Sequence, residues 1–102
     1  MRDVVWSESA LDDMDSLAAY IAADNRTAAI KVLDRIERTV ENLSHAPTGR
    51  VGRVAGTYEK PVNGLPYIIA YALQHKARSG ERIVILRVIH GARNWPEGAW
   101  PE

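Results

Sequence analysis

One stretch near the C-terminal end, residues 82–95, constrains the fold more than any other part of the sequence. It reads R-I-V-I-L-R-V-I-H-G-A-R-N-W. Residues 83–89 are aliphatic and mostly β-branched except for Arg87, which is typical of a strand covered on both faces. We therefore predict that this segment is the central strand of a sheet. Three side chains suited to chemistry or binding follow it within six positions: His90, Arg93 and Trp95.

Two helices are predicted before that strand, after a first short strand over residues 2–6. Ser7 is a suitable N-cap for the first helix, in which apolar side chains recur every three or four residues as far as Asp24. Asn25 can cap a second helix over residues 26–44, which has the same periodicity. Because the connection is short, the two helices should form an antiparallel hairpin.

The second half of the chain changes to strand-like patterns. Residues 57–62 and 66–73 read as strands joined at Asn63-Gly64, a strong hairpin signal, and a turn at residues 78–80 leads into the central strand. The expected fold is α+β, in the order β-α-α-β-β-β, with the N-terminal strand and helical hairpin packed on one face of a small, mainly antiparallel sheet. We expect one domain over residues 1–102, with 94–102 an irregular tail, and the uncovered sheet face as the functional surface.

Composition narrows the functional classes. The chain has no cysteine, and its three histidines lack metal-ligand spacing, so we expect no metal or cofactor and a reducing, cytoplasmic location. No apolar run approaches the roughly 18 residues that cross a bilayer, and no export signal pattern is seen. The net charge is zero, but residues 1–45 carry five bases against nine acids and residues 46–102 carry eight against four. The basic half is compatible with a polyanion or an acidic partner, or with ordinary solvated faces.

Several segments together resemble, in order, the RelE/ParE family of bacterial type II toxins. They are the strand ending in Trp6, Y-I-A-A-D-N-R-T-A-A, L-S-H-A-P-T-G-R-V-G-R, T-Y-E-K-P-V, G-L-P-Y-I-I-A-Y and V-I-H-G-A-R-N-W-P. The resemblance covers nearly the whole chain, although each segment is short. It implies a growth-inhibiting toxin that is neutralised by a cognate antitoxin protein, part of which folds over the toxin surface, so that a toxin–antitoxin hetero-oligomer is expected.

The resemblance implies two alternative activities. RelE-like members cleave mRNA on the ribosome, whereas ParE-like members inhibit DNA gyrase. Cations that the RelE-type pattern places on two strands fall here at Glu59, Pro61 and Ile68, and its last tyrosine falls near Trp95. Only Arg93 clearly remains. Because RNA cleavage needs cations to stabilise the charge developing on phosphorus, these departures favour gyrase inhibition.

The candidate residues differ between these hypotheses. A nuclease would use His90 as acid or base, with Arg93, Arg87 and Glu59 around it. A surface that contacts the target or nucleic acid would use Arg50, Arg53, Arg93 and Trp95. A third hypothesis is a non-toxic, antitoxin-binding module.

Structural roles compete with these functional ones. Arg87 would instead pair with a carboxylate such as Glu59, and Tyr67 and Tyr71 would pack in the core or at its rim. Trp100, by contrast, is predicted to contact a partner.

Overall fold

The computed structural model describes residues 2–77 and 80–101. Its elements, in chain order, are β1 (Asp3–Trp6), α1 (Glu8–Ala22), α2 (Arg26–His45), β2 (Arg50–Val51), β3 (Tyr58–Pro61), β4 (Tyr67–Lys76) and β5 (Gly80–His90). The predicted turn at residues 78–80 falls largely on Arg78 and Ser79, which lie outside the described residues. The basic glycine-rich segment after α2 contributes the two-residue strand β2, so the sheet has five strands.

Both helices begin where the sequence places their caps. Ser7 Oγ accepts a hydrogen bond from the Ala10 backbone N–H (3.0 Å), and Asn25 Oδ1 accepts one from the Ala28 N–H (3.0 Å). Each bond satisfies a backbone donor that has no partner inside the first helical turn. On the exposed side of α2, Arg38 Nε lies 2.9 Å from Asp34 Oδ2, an i,i+4 ion pair.

The strands form one mixed sheet in the order β1-β5-β4-β3-β2. β1 pairs with β5 in parallel, and all other pairings are antiparallel. This confirms the predicted α+β fold and its mainly antiparallel sheet. One detail was wrong: β5 is an interior strand, but the middle position belongs to β4. Both strands are rich in aliphatic side chains, and composition does not distinguish neighbouring interior strands.

The main core lies between the helical hairpin and one face of the sheet, called here the helix face. Helix α1 supplies Ala10, Met14 and Leu17 to this core, and α2 supplies Ile36, Val40 and Leu43. From the sheet, Ile69 and Tyr71 on β4 pack with Ile83, Ile85 and Val88 on β5. Tyr71 is fully buried there, and its hydroxyl donates to the Thr48 carbonyl oxygen (2.6 Å), so this tyrosine packs in the core as expected.

The opposite face of the sheet, called here the tail face, is also covered in its centre. Glu59 faces Ala70 across the β3–β4 pair, and Ile68 faces Ile89 across the β4–β5 pair; all four are buried without belonging to the helix-side core. The chain after β5 covers this region, where the Gly98 N–H donates to the Arg53 carbonyl oxygen (2.9 Å). The expectation of a wholly uncovered sheet face was therefore wrong, because the C-terminal segment provides the cover that the two helices cannot.

Candidate functional site

The segment after β5 forms a tight, hydrogen-bonded turn. The Gly91 N–H donates to the Pro66 carbonyl oxygen (2.7 Å), and the Arg93 N–H donates to the His90 carbonyl oxygen (3.1 Å). The ring of His90, which is exposed, accepts the Ala92 N–H at Nδ1 (3.0 Å). Because Nδ1 serves as an acceptor, the neutral ring carries its proton on Nε2 and can present it to a ligand.

His90 and Arg93 line one groove together with side chains of α1 and β4, and we call it the His90 groove. The ring of Tyr67 meets the ring of His90 edge to face, with centroids 5.4 Å apart. Burial raises the pKa of Tyr67, and nearby Tyr20 raises it further, so the Tyr67 hydroxyl stays a protonated donor at neutral pH. The cavity measures about 460 Å³, and its lining residues are Asp13, Ser16, Leu17, Tyr20, Tyr67, Val88, His90 and Arg93.

Arg87 lies on β5 beyond the last residue that pairs with β1, and there it binds Asp13 of α1. Its Nε lies 2.7 Å from Asp13 Oδ2 and its Nη2 lies 3.1 Å from Asp13 Oδ1, a bidentate pair. The same carboxylate accepts the Val88 N–H (2.9 Å) at a point where β1 no longer pairs with β5. The hydrogen bond to Asp13 raises the pKa of Arg87 despite the opposing effect of burial. The alternative that Arg87 pairs with a carboxylate agrees with this geometry, but the partner is Asp13 and not Glu59.

Glu59 pairs with two arginines, Arg50 on β2 and Arg53 in the segment between β2 and β3. Its side chain is only 1% exposed. Oε1 lies 2.8 Å from Arg53 Nη1 and 3.1 Å from Arg50 Nη2, and Oε2 accepts the Arg53 backbone N–H (2.7 Å). Glu59 therefore does not join His90 and Arg87 in one cluster: it lies two strands from β5 on the tail face, and its acceptor oxygens are occupied.

The C-terminal tryptophans form part of the cover on the tail face. The Arg53 guanidinium lies 4.3 Å from the centre of the Trp95 ring, within the range of a cation–π contact. The rings of Trp95 and Trp100 lie 5.9 Å apart, and both residues are partly buried. The structure thus brings Arg50, Arg53 and Trp95 together around Glu59, while Arg93 belongs to the His90 groove.

Comparison with known proteins identifies the family. The sequence pattern described as "ParE toxin of type II toxin-antitoxin system, parDE" matches residues 4–95. The chain belongs to the ParE toxin family. A Sinorhizobium fredii protein named "Putative toxin Y4kP" is 37% identical to this ParE-family chain over 97 residues, which is 94% of this chain and 95% of that protein. A chain of the chromosomal ParDE toxin–antitoxin system from P. aeruginosa superposes with a TM-score of 0.75 at 22% identity, covering 88% of this chain and 96% of the other.

Two further observations on this ParE-family chain concern membrane-spanning helices and metal-binding side chains. Within residues 2–77 and 80–101, none of the helices is both long and apolar enough to span a bilayer. In the same described part of the chain, no three or more histidine, aspartate or glutamate side chains lie close enough together to hold a metal ion.

Sequence reasoning missed two contributors to the His90 groove. Neither Asp13 nor Tyr20 was among the residues predicted from the sequence, although the Tyr20 side chain is 82% exposed. The signal for Tyr20 was present in the sequence, since a large aromatic ring outside the apolar stripe of a helix often marks a contact surface. No comparable signal links Asp13 to Arg87, because the two are separated by 74 positions.

Proposed function

We propose that this chain is a cytoplasmic toxin that inhibits DNA gyrase and is neutralised by a cognate antitoxin. Membership of the ParE family and the likeness to a chain of a ParDE system support an antitoxin partner, in a toxin–antitoxin hetero-oligomer. Such a toxin needs no catalytic set of its own. It needs a surface that engages the target and a second surface that the antitoxin can cover.

The observation that carries the gyrase proposal is the closed tail face. The positions that RelE-type members fill with cations correspond here to Glu59, Pro61 and Ile68, and the strand register places all three on that face. Glu59 is neutralised by Arg50 and Arg53, and Ile68 is buried. A phosphate at this position would meet a carboxylate and an aliphatic side chain, and the nearby Arg50 and Arg53 are already paired with Glu59, so the surface is poorly suited to stabilise the charge of a cleaving phosphodiester.

The His90 groove is the surface we assign to target contact. It combines the exposed Tyr20, the half-buried Tyr67, the His90 ring and Arg93 at one end of the sheet. Tyrosine and arginine are the residue types that contribute most to protein interfaces when they surround a pocket. The adjoining tail, with Trp95 beside Arg53, extends this surface toward the basic segment after α2.

Controlled expression in bacteria, combined with a purified gyrase assay, tests the proposal. Growth should stop on induction, and the purified protein should block supercoiling of relaxed plasmid or trap cleaved DNA on gyrase. Arg93→Ala should weaken both effects, whereas Arg26→Ala, a change at the exposed start of α2, should leave them intact. Full gyrase activity with a large excess of toxin would contradict the proposal, and unchanged growth would favour the non-toxic module.

RNA cleavage remains a second candidate because His90, Tyr67 and Arg93 share one groove. A proton-transferring ring beside a cation is a minimal arrangement for attack of a ribose hydroxyl on the adjacent phosphate. This hypothesis predicts codon-specific cuts in ribosome-bound mRNA, with undamaged DNA. His90→Ala should abolish such cuts, and toxicity retained in that variant would remove the histidine from any catalytic role.

A further inference from the structure

The structure leaves two adjacent hollows between the helical hairpin and β1, on the side away from β5. One part, of about 350 Å³, is lined by Trp6, Leu11, Met14, Asp15, Ala18, Leu33 and Glu37. A second part, of about 410 Å³, is lined by Arg2, Asp3, Val4, Trp6, Glu37, Val40, Glu41 and Ser44. Because Trp6 and Glu37 belong to both linings, the two parts lie side by side along α2. We call the whole the β1 groove.

The floor of the β1 groove is apolar, and part of it faces solvent. Leu11 is 51% exposed, and Trp6 is only partly buried although it packs on the core. β1 is the terminal strand of the sheet, so its outer edge has no strand partner among the described residues. Between Leu33 and Ser44, α2 advances by roughly 16 Å at 1.5 Å per residue, which is about three turns of a docked helix. These dimensions suit an amphipathic helix laid on apolar side chains.

The rim of the β1 groove is acidic. Asp15, Glu37 and Glu41 are exposed, and within residues 2–77 and 80–101 none of them forms an ion pair. The basic residue in the lining, Arg2, is already engaged with Glu81 through Nε and Oε1 (2.9 Å). Three unneutralised carboxylates around an apolar floor would repel an acidic segment and attract a basic one.

We propose that the β1 groove selects its partner by charge and accepts a short amphipathic helix flanked by lysine or arginine. Naming the antitoxin as the source of that helix rests on the proposed function, but the charge selectivity itself does not. Asp15, Glu37 and Glu41 then act as specificity determinants, and they keep away segments with the same apolar pattern and acidic flanks.

Two synthetic helical peptides test the proposal with the full-length protein. Both carry the same apolar positions over three turns, one with lysine at the flanking positions and the other with glutamate. The lysine peptide should bind at least about tenfold more tightly at low salt, since each exposed ion pair gained or lost changes the affinity several-fold. The difference should shrink as ionic strength rises. Equal binding of both peptides, or preference for the glutamate peptide, would overturn the proposal.

Matched variants locate the effect. Asp15→Lys/Glu37→Lys should reverse the preference, whereas Asp24→Lys/Glu97→Lys, which makes the same charge change outside the groove, should keep it. Leu11→Glu should weaken the lysine peptide, and Val51→Glu, at an 80% exposed position on β2, should not. If a groove variant and its matched control lose binding to the same extent, the peptide does not bind in the β1 groove and the proposed site is refuted. Growth arrest by the same variants is scored separately, so a chain that proves non-toxic can still show the predicted charge selectivity.

Discussion

Replacing Asp13 with alanine should destabilise the protein more than any other single change at an acidic residue of α1. The substitution removes two hydrogen bonds from the Arg87 guanidinium, at 2.7 and 3.1 Å, and the acceptor of the Val88 N–H at 2.9 Å. The side chains of Arg87 and Asp13 are only 17% and 15% exposed, so water replaces the lost partner poorly. Breaking a buried charge pair from one side costs about 3–5 kcal/mol, and the remaining exposure places this case near 3 kcal/mol.

Thermal and urea unfolding measure this loss. For a domain of this size, a change of about 3 kcal/mol lowers the Tm by roughly 12–24 °C. Asp12→Ala is the matched control, since its carboxylate is exposed and adjacent in sequence. A Tm for Asp13→Ala within about 2 °C of wild type would show that the pair contributes little and would refute the reasoning.

A double-mutant cycle separates the ion pair from the backbone hydrogen bond. Arg87→Met alone leaves the Asp13 carboxylate bonded to the Val88 N–H, so it should cost less than Asp13→Ala. The Asp13→Ala/Arg87→Met protein has no unpaired charge, so its loss of stability should be smaller than the sum of the losses in the two single variants. Strictly additive losses would mean that the two side chains do not interact energetically.

Three further predictions concern the β3 region. Glu59→Gln should lower the free energy of unfolding by about 2–3 kcal/mol in urea titrations, because it removes the negative charge shared by Arg50 and Arg53; a stable variant would contradict this. Gly49→Ala should lower the free energy of unfolding more than Gly56→Ala, although both positions have positive φ. A Cβ at position 49 would lie 2.6 Å from the Glu59 carbonyl oxygen, whereas none of the described atoms lies within 4 Å of a Cβ at position 56. Equal urea midpoints for the two variants would refute the steric argument. Burial raises the pKa of Tyr71 above 10.0, so the stability it contributes should be complete below pH 10 and lost as the pH rises through the folded-state pKa; Tyr71→Phe should remove that alkaline loss, as followed by circular dichroism.

The fold was readable from sequence because its signals are local. Ser7 and Asn25 are caps whose partners lie three residues away, and the Asn63-Gly64 hairpin is closed by a hydrogen bond from the Val62 N–H to the Tyr67 carbonyl oxygen. Helix and strand periodicity then fixed which side chains enter the core, since each element can bury only one stripe or face. The helix order and the antiparallel β3–β4 and β4–β5 pairings followed from short connections, whereas the pairing of β1 with β5 did not.

The candidate site was less readable because its contacts join distant parts of the chain. Arg87 interrupts an apolar strand and suggested a functional cation, but whether such a charge serves function or structure depends on which carboxylate lies nearby. Likewise Glu59, a residue on a short polar strand, gave no sign that it would be nearly inaccessible between two arginines. Trp95 was expected to face a target, but its stacking on Arg53 depends on the path of a segment without helix or strand periodicity.

The parallel pairing of β1 with β5 has a consequence for synthesis of the chain. β1 leaves the ribosome before the other strands of this sheet, yet its hydrogen-bonding partners lie in residues 82–85, 79 positions later for each pair. The helical hairpin has contacts between neighbouring segments and can form early, whereas the sheet closes only after nearly the whole chain has emerged. Until then the Asp13 carboxylate has neither Arg87 nor the Val88 N–H, and the His90 groove does not exist. The surface that we assign to target contact therefore forms only after β5 and the turn that follows it have been synthesised, so a truncated product ending before β5 lacks it.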